Sequence, residues 1–251
     1  MAVEAVIFDW GGTLAEWVSI DTVDVWGRAA RSLAGDPEHH PHLTAALYEA
    51  EARFWARCSD DQRAGCSVDI VADAMAALRL DGLDAALIEA AQIEAAAAAH
   101  LDAWAPHIRH DPDAVEVLGA LRARGLRVGL LSNTHWPGQF HDRHLDRDGL
   151  LPLFDARLYT SDLTHMKPHP GAFMTALAAL EVDDPAAAVY VGDRPFDDIH
   201  GAKSVGMRAV LRPNPDVGRD GGGLHTTEPD AVITRLPELL SLIDGWLDTV
   251  P

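Results

Sequence analysis

The chain has 251 residues, 48% of them hydrophobic, enough to bury a sizeable core in one large domain or two smaller ones. Its formal net charge of −19 repels phosphate backbones and anionic bilayers at long range, which excludes nucleic acid and membranes as expected partners. A small anionic ligand therefore needs a local cation, and Lys167 and Lys203 are the only lysines.

The first residues run directly into an apolar stretch without a basic leader or cleavage pattern, and no apolar run reaches membrane-spanning length. The expected location is the cytoplasm. Cys58 and Cys66 lack metal-ligand spacing and read as small buried thiols rather than a disulfide.

Residues 3–8 form a short β-prone run that ends in Asp9, two glycines and Thr13. The run reads as a buried strand, with Asp9 at its carboxyl edge, where open α/β sheets place ligands. Gly11 and Gly12 permit a tight bend that brings bare amides towards an anion, although an ordinary strand-to-loop turn has the same appearance.

From residue 20 to about 104 the pattern is helical. Asp21 can cap a helix carrying Val25, Trp26, Ala29, Ala30 and Leu33, stopped by Gly35-Asp36-Pro37. Further helices are predicted over 41–57, 68–80 and 84–104, with hinges at 16–19 and 105–107.

Strands and helices then alternate. A helix from Asp111-Pro112 ends at Gly125, and 126–131 is a strand closing in Ser132-Asn133-Thr134. Strands at 156–160, 189–191, 208–211 and 231–233 are separated by helices reaching Leu180, running from about 196 to 206, and covering 236–247. Residues 212–229, rich in Gly and Pro, read as a surface loop. This order predicts an α/β doubly wound parallel sheet (residues 1–16 and 108–251) interrupted by an inserted α-helical domain (17–107).

Four predicted strand ends thus carry Asp9, Ser132, the Lys167 loop, and Asp193 with Asp198. A hydroxyl, an ammonium and three carboxylates suit a phosphoryl dianion together with a hard divalent cation.

At these residues the sequence resembles the haloacid dehalogenase-like hydrolase superfamily, with a Rossmann-like core and a helical cap. The resemblance rests on Phe8-Asp9-Trp10-Gly11-Gly12-Thr13-Leu14, Leu131-Ser132-Asn133-Thr134, Lys167-Pro168 and Gly192-Asp193-Arg194-Pro195-Phe196-Asp197-Asp198-Ile199. It implies a phosphatase of small phosphorylated metabolites in which Asp9 is the nucleophile and forms an aspartyl-phosphate. Mg²⁺ would be held by Asp9, the Gly11 carbonyl and Asp193, with Asp198 orienting metal waters or Lys167 and Asp197 as its alternate. Ser132 and Lys167 would grip the phosphoryl group, aided by backbone amides near Gly12, and the helical cap would close over the substrate. Gly12, Thr13 and Asn133 are candidate substrate contacts, and Arg194 either touches substrate or is solvated.

The pattern breaks at Gly11, where family phosphatases carry a second aspartate as general acid and base. Positioned acid–base catalysis is worth roughly 10²–10⁴-fold, so poor leaving groups should suffer most. The first motif is also similar to phosphonoacetaldehyde hydrolase, but that enzyme uses a cap lysine and none occurs between residues 15 and 110. The 2-haloacid dehalogenase branch also lacks the second aspartate but dispenses with metal, whereas Asp193 and Asp198 remain here. A non-catalytic phosphate-binding protein is the alternative outside the enzymes.

His39, His40 and His42 read as a solvated loop, with metal binding or the missing acid as the alternative. His135 and Trp136 follow the second motif and reach either the site mouth or a helix start. Trp10, Trp17, Trp26, Trp55 and Trp104 read as core, or as the lining of an apolar leaving-group pocket. Lys203 reads as a surface or structural residue. Oligomeric state has no sequence signal.

Overall fold

The computed structural model describes residues 2–16, 18–80, 90–214 and 227–248. Six strands form one sheet: β1 (Ala5–Phe8), β2 (Arg127–Ser132), β3 (Ala156–Tyr159), β4 (Ala188–Gly192), β5 (Arg208–Leu211) and β6 (Ala231–Val232). Their order is β3-β2-β1-β4-β5-β6, and every neighbouring pair is parallel. Helices cover both faces, so the central strands Ala-Val-Ile-Phe and Ala-Val-Tyr-Val-Gly are buried throughout and lack polar alternation. The doubly wound α/β sheet expected from the sequence is present.

On one face α5 (Ala114–Ala123), α6 (Gly138–Arg147) and α9 (Glu238–Asp248) pack on Val6, Phe8, Val128 and Val191. On the other, α7 (Pro170–Ala179) and α8 (Gly201–Ser204) pack on Ala5, Ile7, Leu131 and Tyr190. Phe8 is in register with Leu130 and Val191, so the residues following these three strands emerge at one edge. The chain winds outwards in opposite directions from β1 and β4, which opens a crevice there.

Between β1 and α5 stand α1 (Thr22–Leu33), α2 (His40–Asp61), α3 (Ser67–Leu80) and α4 (Ala90–Trp104). Asp21 caps α1 by accepting from the Val23 N–H at 2.9 Å, and the helix buries Val25, Trp26, Ala29, Ala30 and Leu33 as its spacing predicts. α2 starts one residue ahead of Pro41 and extends to Asp61, beyond the expected end at 57. The expected start of the fourth helix at Asp84 lies outside the described residues, as does Trp17. Trp26, Leu47, Phe54, Ile70 and Met75 centre a core separate from those against the sheet.

The chain leaves and re-enters the sheet layer side by side. Ala15 pairs with His110 in an antiparallel bridge, the Glu16 N–H donates to the Arg109 carbonyl at 2.8 Å, and the Asp111 N–H donates to Leu14 at 2.8 Å. The second crossing therefore falls just after the expected hinge at 105–107, which forms a 3₁₀ turn continuing from α4. A second seam docks the α2–α3 connection beside the Lys167 loop. There the Ala64 N–H donates to Thr164 at 3.1 Å, the Met166 N–H donates to Gln62 at 3.0 Å, and Met166 joins the core of the helical insert.

Helix α6 is absent from the sequence reading because only Phe140 and Leu145 of its ten residues are strongly apolar. The helix expected over 196–206 is split into a π-helical turn, Pro195–His200, followed by α8. The Gly- and Pro-rich loop is described only at its two ends, and residues 215–226 lie outside the description.

Candidate active site

Asp9 follows β1 and is buried, as is Lys167, which arrives on the loop between β3 and α7. The ammonium donates to Asp9 Oδ1 at 2.7 Å, Asp198 Oδ1 at 2.7 Å and the Tyr190 hydroxyl at 2.6 Å, engaging all three of its hydrogens. Tyr190 in turn donates to the Leu131 carbonyl at 2.9 Å. The carboxylates raise the lysine's pKa further than burial lowers it, so it stays a cation.

Two anchors hold this loop. The Asn133 amide nitrogen donates to the Lys167 carbonyl at 2.8 Å, and the Lys167 N–H donates to Asn133 Oδ1 at 2.8 Å. Asn133, expected on the substrate, thus has both ends of its carboxamide engaged by the Lys167 backbone. Asp198 accepts the Arg194 backbone N–H at 2.8 Å on its second oxygen, which places it behind Lys167 with both oxygens occupied.

Asp9, Asp193 and Asp198 each bring a carboxylate oxygen within 4.8 Å of the others. Asp193 is buried, and its Oδ1 has no hydrogen-bond partner among the described residues. Burial, reinforced by repulsion from Asp9 and Asp198, pushes its pKa up to about 8. Burial also raises Asp9, against the pull of Lys167. Three carboxylates facing one ammonium, with a buried acceptor lacking any donor, fit a hard divalent cation bound through oxygen.

Glycine is required at two points of this cluster. Gly12 has φ +81°, and a Cβ there would lie 2.1 Å from Asp193 Oδ2. A Cβ on Gly192 would lie 2.4 Å from Asp198 Cγ. The Gly12 N–H donates to the Ala15 carbonyl at 2.8 Å, so the amide expected to cradle an anion serves the turn itself. Thr13 is fully buried, and its hydroxyl has no partner among the described residues.

A cavity of about 530 Å³ opens over Asp9, Ser132, Lys167 and Arg194. Gly11 lines it where the family's second carboxylate is expected. Trp10, Trp55, Trp104 and Trp136 contribute apolar wall, whereas Trp26 lies in the core of the helical insert. Asp197 lines the cavity beside Arg194, and burial pushes its pKa up to about 6. His39, His40 and His42 lie outside the lining, and His40 Nε2 is 2.8 Å from the Ala34 carbonyl. Lys203 pairs with Asp230 at 2.7 Å, away from the site.

Tyr190 and Glu51 are missing from the sequence-based site. Tyr190 is hidden inside an aliphatic strand, where its hydroxyl is the one polar side-chain atom. Glu51 is one acid among many on α2, and its meeting with His135 across 84 positions leaves no local signal.

At its switch point the parallel sheet thus gathers a buried aspartate, a captive lysine and two further carboxylates, at the place where open α/β sheets bind ligands. Residues 3–206 match the family of haloacid dehalogenase-like hydrolases, and the chain belongs to that family. It is 34% identical over 141 residues to the glyceraldehyde 3-phosphate phosphatase of Pyrococcus furiosus, covering 55% of this chain and 56% of that one. Identity to the phosphoserine phosphatase of Thermus thermophilus is 36% over 115 residues, 43% of this chain and 45% of that one. The matched stretch spans about half the length of these curated relatives. Among solved structures, the 2-haloacid dehalogenase of Pseudomonas syringae pv. Tomato superposes with TM-score 0.68 at 27% identity, over 97% of this chain and 99% of that one. A HAD phosphatase from Thermococcus onnurineus gives 0.61 at 25%, over 97% and 99%.

Proposed function

We propose that the chain is a Mg²⁺-dependent phosphatase of a small phosphorylated metabolite, with Asp9 as nucleophile. The observation carrying this reading is Asp9 in 2.7 Å contact with a buried ammonium, beside an Asp193 oxygen that lacks a donor. Asp9, the Gly11 carbonyl and Asp193 would hold the ion, and Asp198 positions Lys167. Bound there, Mg²⁺ would lower the charge of the carboxylate cluster and polarise a phosphoryl oxygen.

Asp9 attacks phosphorus, the bond to the leaving oxygen breaks, and the resulting aspartyl-phosphate is cleaved by water. Lys167 offsets charge on the transferred group, Ser132 donates to one of its oxygens, and Arg194 faces it across the cavity. The helical insert excludes bulk water as a cap. The missing donor at Gly11 restricts efficient turnover to substrates whose leaving oxygen needs little protonation. The dehalogenase neighbour uses the same fold, but a halide-displacing site has no need of the orphaned Asp193 oxygen.

Assaying phosphate release from a panel of phosphorylated metabolites, with Mg²⁺ and with EDTA, tests this reading. Release that needs metal and is lost in Asp9→Asn is expected. Binding of phosphorylated ligands without release would instead favour a phosphate-binding protein, and halide release from 2-haloacids without metal would favour the dehalogenase.

A further inference from the structure

A second set of ligating atoms, apart from the Lys167 cluster, has two of its three members, Glu51 and His135, in the lining of the same cavity. Glu51 of α2, His100 of α4 and His135, three residues past Ser132, each offer an atom within 4.8 Å of the others. His100 and His135 are buried, and the Glu51 side chain is 17% exposed.

Hydrogen-bond accounting fixes one end of the His135 ring. Ser67 Oγ lies 2.9 Å from both the His135 carbonyl and its Nδ1. A carbonyl only accepts, so the hydroxyl hydrogen goes to it and Nδ1–H donates to Oγ. With no proton on Nε2, that atom presents a lone pair 3.2 Å from Glu51 Oε1, which is also an acceptor. Two acceptors at this distance need a positive species between them, either a proton or a metal ion. The other Glu51 oxygen is held by the Trp26 indole N–H at 2.7 Å.

His100 decides between the two. A proton shared by Glu51 and His135 leaves both His100 ring nitrogens buried and without a partner among the described residues, whereas a metal ion would engage one of them. Each buried ring nitrogen left without a partner is unfavourable, so engaging one of them favours the ion. The His100 ring lies 3.9 Å from that of Trp26, the residue that also fixes Glu51. Two imidazoles and a carboxylate, with Ser67 and Trp26 as outer supports, are a donor set for borderline first-row divalent ions rather than Mg²⁺.

We propose that Glu51, His100 and His135 form a binding site for a zinc-type divalent ion at the seam between the helical insert and the sheet. Two ligands come from the insert and one from a sheet loop, so the ion would fasten one to the other. It would also add positive charge to a cavity wall that otherwise presents Glu51. Drawing the ligand atoms to the roughly 3.4 Å separation of a tetrahedral Zn²⁺ shell takes side-chain adjustments of about an ångström.

The test uses the full chain, stripped by chelator and titrated with Zn²⁺ or Co²⁺ in excess Mg²⁺, which saturates oxygen-only sites. One equivalent should bind tightly, with X-ray absorption at the zinc edge showing two imidazoles and a carboxylate. His100→Leu should abolish stoichiometric uptake, while Ser67→Ala, which removes no ligand, should weaken it by roughly 10–100-fold. Failure of the wild type to take up one equivalent overturns the site. Uptake unchanged in His100→Leu also overturns it, pointing to surface histidines such as the stacked His165–His169 pair, 3.7 Å apart. Should His100→Leu lose its near-ultraviolet circular dichroism, the wild-type absorption spectrum decides alone, and a shell without two imidazoles overturns the site. None of these measurements depends on turnover.

Discussion

Lys167 has no spare hydrogen: Asp9, Asp198 and Tyr190 take all three. Removing the Tyr190 hydroxyl leaves one ammonium hydrogen buried without an acceptor and frees the Leu131 carbonyl. Tyr190→Phe should therefore cost about 1–3 kcal/mol in urea unfolding, with little change in the denaturant slope. At Gly11 the expected consequence is kinetic: phosphate release should fall roughly 10²–10⁴-fold from aryl to alkyl phosphate esters of similar size. Comparable rates for both would show that another side chain supplies the proton. The charged members of the site were legible because each ends a strand or sits in a short turn. Tyr190 was not, because a tyrosine in an aliphatic strand carries the same signal whether it packs or positions a lysine. Asn133 illustrates a different limit, since its place beside Ser132 suggested a ligand contact and the Lys167 loop engages it instead.

Among the elements, the turn after β1 depends on a partner far along the chain. Arg212, just past β5, donates to the Thr13 carbonyl and pairs with Asp111 at 2.5 Å. Asp111 also accepts from the Asp113 N–H at 2.8 Å at the start of α5. One carboxylate thus closes the turn ahead of α5 and, through Arg212, holds the loop carrying the candidate nucleophile. Asp111→Ala should lower stability by about 1–3 kcal/mol, and Asp111→Asn, which keeps the bond to the Asp113 N–H, by less; thermal unfolding of both checks this. Element type was read correctly wherever apolar spacing was strong, as in α1 with its five buried positions. It failed at α6, whose buried face includes His141, a residue that hydropathy counts as polar. The π-helical turn at 195–200 left no trace either, because its extra residue changes hydrogen bonding but not composition.

On the scale of the whole molecule, buried histidines make stability depend on pH on the acid side. His141 is enclosed by Trp10 and Tyr159, and burial lowers its pKa to about 3. An unfolded histidine titrates near 6.5, so below that pH the unfolded chain takes the proton first and stability falls as pH drops towards 3. Between pH 7 and 5 this group alone should cost about 2 kcal/mol, and His141→Gln should flatten the urea-derived stability profile by that amount. A profile just as steep in the variant would place the loss elsewhere. The same enclosure explains why the sequence could not show the cavity: its walls come from α2, α4, the first turn and the loop after β2. No helix among the described residues is long and apolar enough to cross a membrane.

The adjacent crossings at Ala15–Glu16 and Arg109–His110 carry one more consequence. Since departure and return lie side by side, a short tether from Glu16 to Arg109 would bypass four helices without disturbing a strand. Such a tether would keep the sheet order but remove Leu101 from the core against the sheet and uncover Met166, which packs in the core of the helical insert.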